Sequence, residues 1–212
     1  MQAARHAGIP VPVVELSSNR RLLIIERFDL RPDGTYLGCE DFCVLNGVRP
    51  HGRYDGSYEL LARRIGQFVS PQQQRAALEQ LFLMLALSCA IENGDAHLKN
   101  FAVVYEHATA TVTLAPAYDM VSTTPYVPRD VLALTLAGSK EFPNRRRILS
   151  FGRQSCGLTA AKVTELLDRV DSGVRKASAQ IRRYIKQHPD FRRAGEHLLA
   201  TFDRGLLRIN TD

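Results

Sequence analysis

Asp95, His97, Lys99 and Asn100 fall within six residues, in the run Asn93-Gly94-Asp95-Ala96-His97-Leu98-Lys99-Asn100-Phe101. A second polar cluster, Ala117-Tyr118-Asp119-Met120, closes the next apolar segment. Phosphoryl transfer from a nucleotide needs a carboxylate that orients the attacking hydroxyl and accepts its proton. It also needs oxygen ligands for Mg²⁺, which favours carboxylate, amide oxygen and water. An Asp, an Asn five residues on, and a strand–turn–strand ending in Asp supply that inventory. On this reading Asp95 is the base, Asn100 and Asp119 hold the metal, and His97 or Lys99 neutralises phosphate charge. Taken singly, Asp95 and Asn100 are better read as turn caps. Chemistry is favoured because one hairpin brings three such residues to the same end.

Other chemistries find less support. No CxxC or HExxH is present, and Cys39-x-x-x-Cys43 has no second ligand pair, so a zinc site is disfavoured and two ordinary thiols are expected. No G-x-S-x-G elbow marks a serine hydrolase. A metal-dependent phosphohydrolase could use the same acidic cluster and stays open as a lower reading.

The elements that must position these residues can be read from periodicity and turn formers. Residues 1–7 read as a helix end stopped by Gly8 and Pro10. Val11 to Glu15 and Arg21 to Arg27 form an expected antiparallel hairpin around Ser17-Ser18-Asn19. Phe28 to Arg53, rich in Gly and Pro, reads as mostly loop. Tyr58 to Phe68 has helical spacing. Ser70-Pro71 starts a second helix, with Ser as cap and Pro at the first position, that runs to about Glu92. The second half of that helix is apolar all round, so it should be the central buried helix. Strands are expected over Phe101 to Tyr105 and Thr111 to Leu114, making a two-stranded unit; Val131 to Leu136 is an apolar run of undecided type. Further helices are expected from Thr159 to about Val170, from Ser172 or Gly173 to about His188, and from Phe191 to Leu207.

The chain has 212 residues, 45% hydrophobic and 24% charged, which excludes a disordered or collagen-like chain. The apolar stretch Leu81 to Ala90 is too short to span a bilayer. No signal peptide is visible, and the four cysteines form no dense framework, so reduced thiols and a cytoplasmic location without membrane attachment are expected. Residues 1–137 hold 12 Lys+Arg against 14 Asp+Glu, whereas residues 138–212 hold 16 against 8. This basic C-terminal third is either a solvated helix surface, the preferred reading, or a contact for an anionic partner.

The motifs NGDAHLKNF and LAPAYDMVS, with IERFD at Ile25 to Asp29, resemble the HipA-type serine/threonine kinases, the toxins of bacterial toxin–antitoxin pairs. The resemblance runs from AARHAGIPVP through LALTLAGSK to FGRQSCGLTAAKV. It implies an α+β fold like that of protein and phosphoinositide kinases, with a mainly helical C-lobe over residues 31–212. Residues 1–30 would be a small β-hairpin remnant of the N-lobe with the hinge. It further implies Asp95 as catalytic base, Asn100 and Asp119 as Mg²⁺ ligands, and Glu26, Arg27 and Phe28 as the hinge that touches the adenine of ATP. His97, Lys99 and Tyr118 fall near the phosphates or ribose. Implied partners are a protein substrate, aminoacyl-tRNA synthetases among them, and a HipB-like helix-turn-helix antitoxin, with DNA met only through that complex. Arg145-Arg146-Arg147, Arg182-Arg183 and Arg192-Arg193 could then touch an operator. In such kinases an earlier region carries the phosphate-binding loop and a phosphate-contacting lysine, and neither motif stands in these 212 residues. Losing one fixed donor of this kind costs about 2.7–4 kcal/mol of transition-state stabilisation. The resemblance therefore also admits a pseudokinase-like binding module.

Overall fold

The computed structural model describes residues 1–211. In chain order the elements are α1 (Gln2–His6), β1 (Val14–Leu16), β2 (Leu23–Ile25), β3 (Gly38–Asp41), α2 (Phe42–Leu45), α3 (Tyr58–Phe68), α4 (Gln74–Ala90), β4 (Ala102–Tyr105), β5 (Thr113–Leu114), α5 (Arg145–Gln154), α6 (Ala160–Gln187) and α7 (Arg192–Asn210). Helices α4, α6 and α7 pack on one another and form the core, and α1 lies along α6. Leu81, Phe82, Leu85 and Leu87 on α4 are fully enclosed, as an all-round apolar helix requires.

Several expectations are met and several corrected. The first hairpin pairs Val14 with Ile25 and Leu16 with Leu23, shorter than expected. It is unusual in what it leaves uncovered: Leu16, Leu23, Ile24 and Ile25 are all exposed, on both faces of the ribbon. Its tip is tethered by the Arg20 guanidinium, which donates to His188 Nδ1 at 2.7 Å.

The expected two-stranded unit is a three-stranded antiparallel sheet, ordered β3-β4-β5. Asp41 pairs with Ala102 and Val103 with Leu114. β3 lies inside the segment read as mostly loop. Its sequence, Gly-Cys-Glu-Asp, has neither apolar alternation nor strand propensity, and only the long-range ladder to β4 makes it a strand. Ser70 does not cap α4. Its hydroxyl accepts from Val112 N at 2.9 Å, and a short 3-10 turn at Pro71–Gln73 leads into the helix.

The expected break near Gly173 is absent: α6 runs unbroken for 28 residues, capped by Thr159, whose hydroxyl accepts from Lys162 N. Gly173 is a contact point instead of a terminator. A Cβ there would lie 2.7 Å from Ala7 N and 2.9 Å from Ala3 O, so glycine lets α1 touch α6 backbone to backbone. α5 carries three arginines in its first turn, against the helix dipole, which disguises a helix capped by Asn144. The run Leu132 to Leu136 is largely buried, bends at Ala133 and Leu134, and is held where Thr135 bridges Ser57. No helix among the described residues is long and apolar enough to cross a membrane.

Candidate functional site

The loop after α4 is built by its own polar groups. Asn93 N donates back to Ser88 O at 2.8 Å, and Asn93 Oδ1 accepts from Asp95 N at 3.0 Å, an Asx turn that turns the chain out of the core. A 3-10 turn at Leu98–Asn100 then feeds β4. Asp95 stands half-exposed on this loop, while Asn93, His97 and Asn100 are buried. The Asp95 carboxylate accepts the Tyr54 hydroxyl at 2.7 Å, and His97 Nε2 lies 3.9 Å from the same oxygen. Tyr54 and His97 meet edge to face, with ring centroids 5.1 Å apart.

Asp119 arrives from the far end of β5. Ala115 N bonds Ala102 O at 2.8 Å, and Ala117 N then bonds Pro10 O at 2.7 Å, guiding the chain past the N-terminal segment. Tyr118 donates its hydroxyl to Lys99 O at 2.6 Å and stacks on Phe28 at 5.4 Å. Asp119 itself has φ +57°, a left-handed conformation that aspartate tolerates better than most residues. Asn100 joins the two halves: its Nδ2 donates to Asp95 O at 3.0 Å and lies 3.3 Å from Asp119 Oδ2. Burial and the nearby Asp95 charge push the Asp119 carboxyl above its usual range, only partly offset by His97 and Asn100.

The structure thus brings Asp95, His97, Asn100 and Asp119 together. Tyr118 flanks them and Phe28 lies against Tyr118. Lys99 points elsewhere: its ammonium is 2.7 Å from Asp41 Oδ2, and Asp41 also caps α2. Glu26 and Arg27 follow β2; Arg27 is paired with Asp29, Nε to Oδ1 at 3.0 Å. Among the described residues no group of three or more His, Cys, Asp or Glu is placed to hold a metal ion. The donors at hand are all oxygen: the Asp119 carboxylate and the Asn100 amide, with Asp95 beside them. That set suits Mg²⁺, which takes one or two carboxylates and keeps several waters.

Three contributors were missed from sequence. Tyr54 lies 41 positions before Asp95, in a turn segment with no pattern linking the two. Thr123 accepts Gly94 N at 2.8 Å and lines, with Tyr54, Gly94, Asp130 and Lys140, an open groove of about 430 Å³ beside Asp95. Glu92 reads from sequence only as a helix end, yet it is an enclosed carboxylate bound by two arginines.

The chain resembles known proteins at the level of sequence and of fold. It is 37% identical over 137 residues to Y4dM and 31% identical over 134 residues to Y4mE, both from Sinorhizobium fredii (strain NBRC 101917 / NGR234) and both named provisionally as kinases. These matches take in 64% and 59% of this chain but only 32% and 31% of the relatives, so the chain matches about a third of their length. Among solved structures, HipA from Shewanella oneidensis MR-1, crystallised with HipB and operator DNA, superposes with a TM-score of 0.77 at 20% identity over 99% of this chain and 55% of that one. The Helicobacter pylori proinflammatory kinase CtkA superposes with a TM-score of 0.62 at 14% identity, over 98% of this chain and 80% of that one. The fold is therefore the α+β, kinase-like one. With residues 1–178 matched by the family model described as HipA-like C-terminal domain, the chain belongs to that family of kinase-like proteins.

Proposed function

We propose that this chain is the catalytic lobe of a HipA-type serine/threonine protein kinase that transfers phosphate from Mg-ATP to a protein hydroxyl. The observation that carries this reading is the single hydrogen-bonded unit of Asp95, Asn100 and Asp119, whose Asp95 also lines an open groove. In the reaction Asp95 orients the acceptor hydroxyl and takes its proton on the carboxylate. Tyr54 holds one carboxylate oxygen and leaves the other for the acceptor. Asn100 and Asp119 would hold Mg²⁺, which when bound would supply charge neutralisation at the phosphates. His97 supports the Asp95 side of the site, and Phe28, at the end of the hairpin segment with Glu26 and Arg27, packs on Tyr118 where the adenine side of the cleft begins.

Residues 1–30 are then hinge and N-lobe remnant, with residues 31–212 as the C-lobe. The exposed Leu16, Leu23, Ile24 and Ile25 support this, since a two-stranded ribbon with apolar faces is marginal until further strands cover it. The protein substrate, a HipB-like antitoxin and contact with operator DNA through that antitoxin belong to the same reading, supported by the family and by the HipA–HipB–DNA neighbour. An aminoacyl-tRNA synthetase is the substrate class the resemblance favours, in a cytoplasmic setting.

A second reading, a nucleotide-binding module without catalysis, is favoured by one observation: the lysine of the cluster, Lys99, is committed to Asp41. The test is Asp95→Ala, assayed for transfer of labelled phosphate from ATP to a protein acceptor with a phosphate-binding lobe present. Loss of transfer with nucleotide binding retained supports the kinase. Transfer unchanged by the substitution removes Asp95 from the base role. Binding without transfer in the unsubstituted protein supports the module, and free phosphate release without an acceptor supports a hydrolase.

A further inference from the structure

We infer that Glu92 is a positioning residue, through which the C-terminal helix α7 holds the loop that carries Asp95. The inference rests on the reading of Asp95 as the base.

Glu92 is 3% exposed, the one buried acidic residue among those described. Arg204 of α7 donates to its Oε2 at 2.9 Å, Arg208 of α7 to its Oε1 at 2.7 Å, and the Thr124 hydroxyl to Oε2 at 2.6 Å. These bonds overcome the burial that opposes its charge and hold its carboxyl below the usual glutamate range. Its backbone is left-handed, φ +50°, a conformation glycine adopts without strain and glutamate does not. Nothing about the turn itself calls for glutamate, so the side chain's partners must account for it.

The backbone of the same residue organises both walls of the groove. Glu92 O accepts Thr123 N at 3.1 Å and the Thr123 hydroxyl at 3.2 Å. That hydroxyl in turn accepts Gly94 N at 2.8 Å, one residue before the base. The chain of contacts runs α7, Glu92, Thr123, Gly94, Asp95, with no gap wider than a hydrogen bond. Both arginines lie beyond residue 178, outside the stretch matched by the family. The clamp is thus a contribution of the last helix to a site otherwise contained in the matched region.

The experiment compares Glu92→Gly and Glu92→Gln with the unsubstituted chain by amide hydrogen exchange and, with a phosphate-binding lobe present, by phosphoryl-transfer kinetics. Glycine relieves the backbone while deleting the clamp, and glutamine covers the case in which losing the buried carboxylate between two arginines unsettles the fold. Glutamine keeps the shape without the charge. Expected for Glu92→Gly is faster exchange at residues 93–97 and 122–124, with α4 and α6 amides unchanged. A fall in kcat toward the about 100-fold that a 1 Å misplacement produces accompanies it, at a constant KM for nucleotide. Glu92→Gln should fall between. Unchanged exchange in those segments, or exchange that rises equally throughout the core, overturns the inference. So does unchanged kcat in a protein that transfers phosphate. If the exchange pattern appears while neither variant nor parent transfers phosphate, the structural clamp stands, and both the kinase reading and Glu92's role in it fail.

Discussion

Gly205 offers a test of how tightly α7 must sit against the rest of the site. A Cβ built on this residue would lie 2.1 Å from Ala90 O and 2.6 Å from Ala90 C, both backbone atoms at the end of α4. Neither can rotate away, unlike the tip of a flexible side chain. The ordinary separation for such a pair is about 3.5 Å, so Gly205→Ala must move α7 by more than about 1 Å or bend it. Overpacking of this kind costs about 1–3 kcal/mol. For a chain of this size that lowers the unfolding midpoint by about 2–4 °C per kcal/mol, hence by about 2–12 °C. Gly66 is the matched control. It lies within α3, is exposed, and a Cβ there would meet nothing within 4 Å. Gly66→Ala should therefore stabilise by about 0.5–1 kcal/mol, through helix propensity alone. Thermal unfolding followed by circular dichroism reads both variants. Opposite signs for one chemical change are the expected result. A Gly205→Ala protein with an unchanged or raised midpoint refutes the close approach of the two helices, and with it the geometry that lets Arg204 and Arg208 reach Glu92.

Two further outcomes follow from the site. Tyr54→Phe removes the hydroxyl that donates to Asp95, a bond to a charged group worth about 1.5–3 kcal/mol, so kcat should fall by about 10- to 100-fold while the KM for ATP holds, as measured by steady-state transfer kinetics. Asp119→Asn should abolish any rise in unfolding midpoint caused by Mg-ATP, yet raise the midpoint of the ligand-free protein near neutral pH. The sign follows from the raised carboxyl: with a folded-state pKa above the unfolded value, the ionised group opposes folding at neutral pH, and that opposition fades as pH falls through the folded-state pKa. Differential scanning fluorimetry at pH 7 and at pH 4.5, with and without Mg-ATP, checks both halves, and the gap between variant and parent should narrow at the lower pH.

The parts legible in the sequence are those whose signal is local. The helical spacing of Leu61 and Ile65 within Tyr58–Phe68, the all-apolar second half of α4 and the polar run from Asn93 to Asn100 each declare themselves within one segment. Asp95, Asn100 and Asp119 could be grouped because one strand–turn–strand joins them. Elements that exist only through distant partners stayed hidden. Cys39 and Glu40 become strand only opposite Val104 and Val103, far along the chain. Gly173 resembles a helix break because a sequence cannot display α1 arriving from 170 residues upstream to fill the space a side chain would need. Tyr54 and Glu92 were invisible for the same reason, Asp95 lying 41 residues from Tyr54 and the two arginines 112 and 116 residues from Glu92.

That division has a physical consequence for how the site works. Groups that would touch phosphate, metal or the acceptor proton sit on short loops that their own side chains shape, as Asn93 does for Asp95. Groups that hold those loops still come from remote elements: Tyr54 from the turn before α3, Gln80 of α4 donating to Ala115 O, and the arginines of α7 through Glu92. Preorganised charge is effective in catalysis because the surrounding structure has already met the cost of fixing it. Two loops that bring the like charges of Asp95 and Asp119 near each other cannot fix themselves. Each carboxylate is restrained by a neutral donor, Tyr54 on one and Asn100 on the other, rather than by a bound cationic side chain. The charge of these two carboxylates, offset only in part by His97 and Asn100, is what would draw a divalent cation to them.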